Sequence, residues 1–115
     1  MRAALLALAA LAACDATKPA ADPDFGDPYR VLEASLADGR LTAVVEYGGG
    51  CAEHEFSLGG AVGGGGASLW LTHDANGDLC EALLTETVVV PVPPRLRPDG
   101  PTVLQTPGDD GAVRL

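Results

Sequence analysis

The chain is poor in aromatic and basic residues. One Trp, two Tyr and two Phe make up 4% of its 115 residues, so Leu, Val and Ala must carry most of the burial. Seven Lys or Arg face sixteen Asp or Glu, a formal net charge of −9. A basic groove cannot be assembled from that balance, and nucleic acid is not an expected partner. Long hydrophobic runs are missing too. The longest, Ala3 to Ala13, spans about 16 Å as a helix at roughly 1.5 Å per residue, short of a hydrocarbon core of about 30 Å. No long amphipathic pattern follows it, and no Gly-x-Ser-x-Gly nucleophile motif occurs.

Met1-Arg2 gives that apolar run a short positive start, and Leu11-Ala12-Ala13-Cys14 ends it with small residues before a cysteine. This is the pattern of a secretory signal over residues 1–13. The closing tetrapeptide resembles the lipobox of bacterial lipoproteins, in which the cysteine is lipidated and becomes the mature N-terminus. The resemblance implies that Cys14 carries several acyl chains, enough for stable anchoring at about 0.8 kcal/mol per buried methylene. The expected partner is then a lipid bilayer, and the expected location a bacterial cell envelope, inner or outer membrane undetermined, with the domain in the periplasm or at the cell surface. Loss of Arg2 with the signal takes the formal charge from −9 to about −10, which fits a surface that stays solvated beside anionic headgroups.

Residues 14–27, rich in Pro, Ala and Asp, lack the periodicity of an element and read as a disordered tether. What remains, 28–115, suits one small domain. Within it Leu41, Ala43, Val45 and Tyr47 alternate with Thr42, Val44 and Glu46, which predicts a strand, and the preceding Asp38-Gly39 predicts a hairpin with Tyr29 to Leu36. That first arm fits a strand or a short helix, with strand favoured. A further strand is expected from about Cys51, with Ala52, His54, Phe56 and Leu58 on one face. Gly59 to Gly66 holds six glycines in eight residues and reads as a flexible loop. Asn76-Gly77 predicts a hairpin between Leu69–His73 and Leu79–Val90, which Pro91, Pro93 and Pro94 terminate. A last hairpin is expected around Pro107 to Gly111. The fold class that follows is all-β, a small antiparallel β-sandwich or partly open barrel of about 6–7 short strands.

Chemistry-bearing residues gather in two places, Gly48-Gly49-Gly50-Cys51-Ala52-Glu53-His54 and His73 through Cys80-Glu81. In an oxidising compartment the two cysteines left after lipidation are expected to pair, Cys51 with Cys80, closing a loop of about 29 residues that stabilises the fold by roughly 3 to 4 kcal/mol. The same stretch is formally a Cys2His2 set for zinc or copper, although its spacing matches no common zinc finger. With the disulfide formed, His54 and His73 remain candidate metal ligands, and a hydrogen-bonded core histidine is the competing role. Asp74-x-Asn76-x-Asp78 opens like a calcium loop, but Leu79 stands at its sixth position and Thr85 at its twelfth, where Gly and Glu are needed. Cys51 near His54 would be a nucleophile pair only with a reduced thiol, so no enzyme, no catalytic residue and no cofactor are expected.

Gly49-Gly50-Cys51-x-x-His54-x-Phe56, followed by His73 and Asp78-Leu79-Cys80-Glu81-Ala82, resembles small bacterial lipoproteins that share a Gly-Gly-Cys-x-x-His core. The likeness covers about forty residues and implies a secreted β-domain of unassigned activity. The expected function is that of a membrane-anchored, non-enzymatic binding or accessory domain with an envelope protein as a possible partner. The alternative is a metal-binding lipoprotein using His54 and His73.

Overall fold

The computed structural model describes residues 22–97, 99–108 and 111–115. The signal segment, Cys14 and most of the tether lie outside them. Seven strands form: β1 (Arg30–Ala37), β2 (Arg40–Gly49), β3 (Glu55–Gly63), β4 (Gly66–Asp74), β5 (Ala82–Pro91), β6 (Thr102–Gln105) and β7 (Ala112–Arg114). They make a three-stranded sheet of order β1-β2-β5 and a four-stranded sheet of order β3-β4-β6-β7. The expected small all-β sandwich is what the chain builds.

Period two explains why the sheets close on one another. Leu41, Ala43, Val45 and Tyr47 of β2 are buried and meet Leu69, Leu71 and Leu104 of the opposing sheet, with Val88 beside them on β5. Leu41, Leu69, Leu71 and Leu104 are fully inaccessible, and each such leucine contributes about 1.5 to 3 kcal/mol over an exposed one. Between β1 and β2 the two turn residues adopt φ 54° at Asp38 and 73° at Gly39, the left-handed pair of a two-residue hairpin.

The strand expected from about Cys51 begins only at Glu55, because residues 50–52 turn their amides to Asp78, and four further details differ from the sequence reading. The glycine-rich stretch is not a loop: β3 runs to Gly63 and β4 restarts at Gly66, so only Gly64 and Gly65 turn, both at positive φ. Strand continues because Gly59 receives the Trp70 indole from its cross-strand neighbour, a place no Cβ would leave free. Leu79–Val90 does not form a hairpin with β4. Residues 75–81 instead carry the chain from one sheet to the other, and β5 pairs with β2 over Arg40–Gly49. One pairing between strands, β4 with β6, is parallel and the other strand pairings are antiparallel, while an isolated parallel bridge joins Gly26 to His73. Finally, docking begins ahead of residue 28, since Phe25 and Asp27 exchange backbone hydrogen bonds with His73.

Candidate functional site

The two chemistry-rich stretches meet at one end of the sandwich. Cys51 and Cys80 are joined in a disulfide with Cα atoms 5.8 Å apart, as expected. Beside it β2 ends at Gly49, and Gly50 at φ 117° turns the chain so that three successive amides converge. The N–H groups of Gly50, Cys51 and Ala52 donate to Oδ2 of Asp78 at 3.0, 3.0 and 3.1 Å, and that of Cys80 donates to Oδ1 at 3.0 Å. A row of backbone amides of this kind is an anion cradle. Here the anion belongs to the protein itself.

His54 completes the arrangement, its Nε2 lying 2.8 Å from Asp78 Oδ2. Its side chain is 1% exposed and that of Asp78 0%. The His54 hydrogen bond, joined by the amides of Cys51, Cys80 and Ala52, holds the Asp78 carboxyl well below the usual carboxylate range against the opposing effect of burial. Glycine is needed at position 49, where a Cβ would lie 2.6 Å from His54 Nε2 and 2.8 Å from Asp78 Oδ2.

The other nitrogen of His54, Nδ1, lies 2.8 Å from Nε2 of His73. His73 Nδ1 in turn faces the carbonyl oxygens of Asp27 at 3.1 Å and Pro28 at 3.2 Å. Carboxylate and carbonyl oxygens only accept, so a hydrogen bond at either end of this chain is donated by the ring, from His54 Nε2 to Asp78 and from His73 Nδ1 to the backbone.

Aromatic rings wall this chain in. Tyr47 stacks on His54 at 4.4 Å between centroids, Phe56 stacks on His73 at 4.5 Å, and Tyr29 meets His73 edge-on at 5.8 Å. Tyr29 donates its hydroxyl to Leu71 O at 2.6 Å, and Tyr47 donates to Glu86 Oε1. Burial pushes both phenols up to about 12, and for Tyr47 the neighbouring Glu86 carboxyl adds to the effect.

Every candidate in the domain is thereby located. Cys51, Cys80, His54 and His73 do come together, linked through Asp78, which the sequence places in a turn with a calcium-like pattern and not as a partner of His54. Its signal was its place two residues before a cysteine whose partner follows three glycines. Among the described residues, Cys51, Asp78 and Cys80 also place potential ligand atoms within 4.8 Å of one another, but both sulfurs are in the disulfide. All four ring nitrogens of the histidines have protein partners. The calcium-like carboxylates turn to different amides, Asp74 to Asn76 N at 2.8 Å and Asp78 to the cradle. On the far side of the four-stranded sheet a groove of about 590 Å³ is lined by Ser68, Trp70, Val103, Gln105 and Arg114.

No family model and no curated protein matches the chain. Among solved structures, a NigD-like immunity protein from Bacteroides caccae is similar in fold, with a TM-score of 0.54 and 24% identity. The match covers 84% of this chain and 55% of that one, so this chain spans about half the length of that protein.

Proposed function

We propose that the protein is a lipid-anchored domain of a bacterial envelope that works by binding, its disulfide-stapled sandwich serving as a non-enzymatic accessory module. The observation that supports this is the internal engagement of its reactive side chains. The cysteines are bonded to each other, Asp78 is saturated by four amides and an imidazole, and both histidines are enclosed by rings. A cavity of about 360 Å³ adjoins His73, Asp78 and Cys80, but the polar groups of that set are already bonded within the protein, which favours a surface as the place of function. A NigD-like immunity protein on a similar fold is in keeping with a binding role, although fold alone does not carry function.

The test is metabolic labelling with a clickable fatty acid. Expected is a labelled, membrane-bound chain whose label is lost in Cys14→Ser. An unlabelled wild-type chain recovered in the soluble fraction would remove the anchor from the proposal.

A second reading rests on the two imidazole nitrogens that face each other at 2.8 Å. Zinc or copper bound there would take His54 and His73 as ligands. Native mass measurement after metal loading, compared with the His54→Gln, His73→Gln double variant, separates this from a structural pair. Metal retained by the wild type and lost by a folded variant supports it.

A further inference from the structure

We propose that the free edge of β5 is a homodimerisation edge, at which two copies of the chain pair antiparallel to form one six-stranded sheet. An unpaired strand edge is a template for another strand, and proteins ordinarily blunt such edges. Three of the four edges here are blunted. β1 has a register break between Val31 and Glu33 and bears Arg30 and Glu33. β3 begins with Glu55 and contains Gly59, Gly60 and Gly63, while β7 is only three residues long and ends in Arg114.

β5 has none of these devices before Pro91. Its ten residues pair with β2 in unbroken register from Ala82 to Pro91, and among the described residues no other strand lies on its far side. Its outward row is Leu83, Thr85, Thr87 and Val89, all exposed, Leu83 at 71% and Val89 at 54%. That row has no charge in a chain of net charge −9. The strand's one ionisable side chain, Glu86, turns inward to the Tyr47 hydroxyl. The row itself therefore brings no like charges into the contact, the nearest carboxylate of the neighbouring strand being Glu46, opposite Thr85.

The occupant is a second copy because the row is complementary to itself, as a two-fold interface requires. Pairing about Thr87 sets Thr87 against Thr87 of the second copy, Thr85 against Val89 and Leu84 against Val90. Threonine pairs and β-branched pairs are favourable cross-strand neighbours. The same axis sets Glu86 opposite Val88 and so keeps the two Glu86 carboxylates apart, which an axis through Glu86 would not. The pairing does not depend on lipid anchoring.

The axis makes a direct test. The full chain carrying Thr87→Cys, treated with a mild thiol oxidant in the membranes of the expressing bacterium, should yield a covalent dimer. Wild type and Ser57→Cys, on the outward face of β3, should not. Adding Thr85→Lys should abolish the cross-link. In parallel, sedimentation of the detergent-solubilised wild-type chain should show a monomer–dimer equilibrium that Val89→Lys weakens about tenfold, equivalent to about 1.4 kcal/mol. No cross-link through Thr87→Cys, an equal one through Ser57→Cys, a cross-link that survives Thr85→Lys, or a wild-type chain monomeric at every concentration overturns the proposal.

Discussion

Asp78 and His54 meet at 2.8 Å with almost no exposed side-chain surface, and the same carboxylate closes the amide row of Gly50, Cys51 and Ala52. The crossing segment that carries Asp78 is thus clamped to the end of β2 twice, once by the carboxylate and once by the disulfide two residues further on. One clamp is covalent and insensitive to pH. The other depends on ionisation.

That dependence predicts acid sensitivity. The folded carboxyl of Asp78 titrates below its unfolded value of about 3.9, so the folded state binds fewer protons in the acid range. Its contribution is present above about pH 4 and is lost as pH falls through the folded value. Asp78→Asn should lower the thermal midpoint at pH 7 and flatten the loss of stability between about pH 4 and pH 2. Asp74→Asn, whose carboxylate serves only its own exposed turn, should do neither to a comparable extent. Thermal melts of the three proteins across that range provide the check.

Reduction isolates the other clamp. Cys51 is exposed, so a small thiol reaches the bond. In the chain-entropy view, opening a loop of 29 residues costs about 3 to 4 kcal/mol. With the Asp78 cradle still in place, the reduced protein should stay folded at neutral pH and unfold at a lower denaturant concentration. The Cys51→Ser, Cys80→Ser variant should behave alike. Urea curves with and without reductant measure the difference, and complete unfolding at zero denaturant would mean that the cradle does not hold alone.

The tyrosines give an alkaline counterpart. Both phenols of the chain are pushed up to about 12, so the native protein should show almost no tyrosinate absorbance near pH 10.5, where the unfolded chain is mostly ionised. Because the folded values lie above the unfolded one, the stabilisation is complete below about pH 10 and is lost as pH rises toward 12. Tyr47→Phe removes the Glu86 hydrogen bond and should cost about 0.5 to 1.5 kcal/mol at neutral pH. Ultraviolet titration of native and urea-unfolded protein reads both phenols.

How much of this was legible in the sequence depended on whether local pattern or distant pairing decided the outcome. β2 was legible because one face is buried throughout and Leu41, Ala43, Val45 and Tyr47 spell it out. The Cys51–Cys80 bond was legible from parity and compartment. The role of Asn76-Gly77 was not, since these residues take φ values of 53° and 73° that suit a hairpin. The partner of β5 was instead chosen by its register with β2. Asp78 was hidden for a related reason, because the amides that make its burial tolerable come from residues 26 to 28 positions earlier.

The glycine-rich second half of β3 was hidden because glycine has no strand propensity to read, and it supplies a last prediction. Gly59 lies in mid-strand opposite Trp70, and any Cβ there would overlap the indole. Gly48 lies in β2 opposite Leu83, with no atom within 4 Å of the place a Cβ would take. Neither has positive φ. Propensity alone would make alanine favourable at both, by about 0.5 to 1 kcal/mol. If the close approach of Trp70 is why the strand is glycine-rich, Gly59→Ala should instead destabilise by about 1 to 3 kcal/mol and shift the Trp70 fluorescence, while Gly48→Ala should be neutral or stabilising. Equal effects of the two substitutions in denaturant unfolding would show that the indole does not rest on Gly59, and the glycines of β3 would then need another cause.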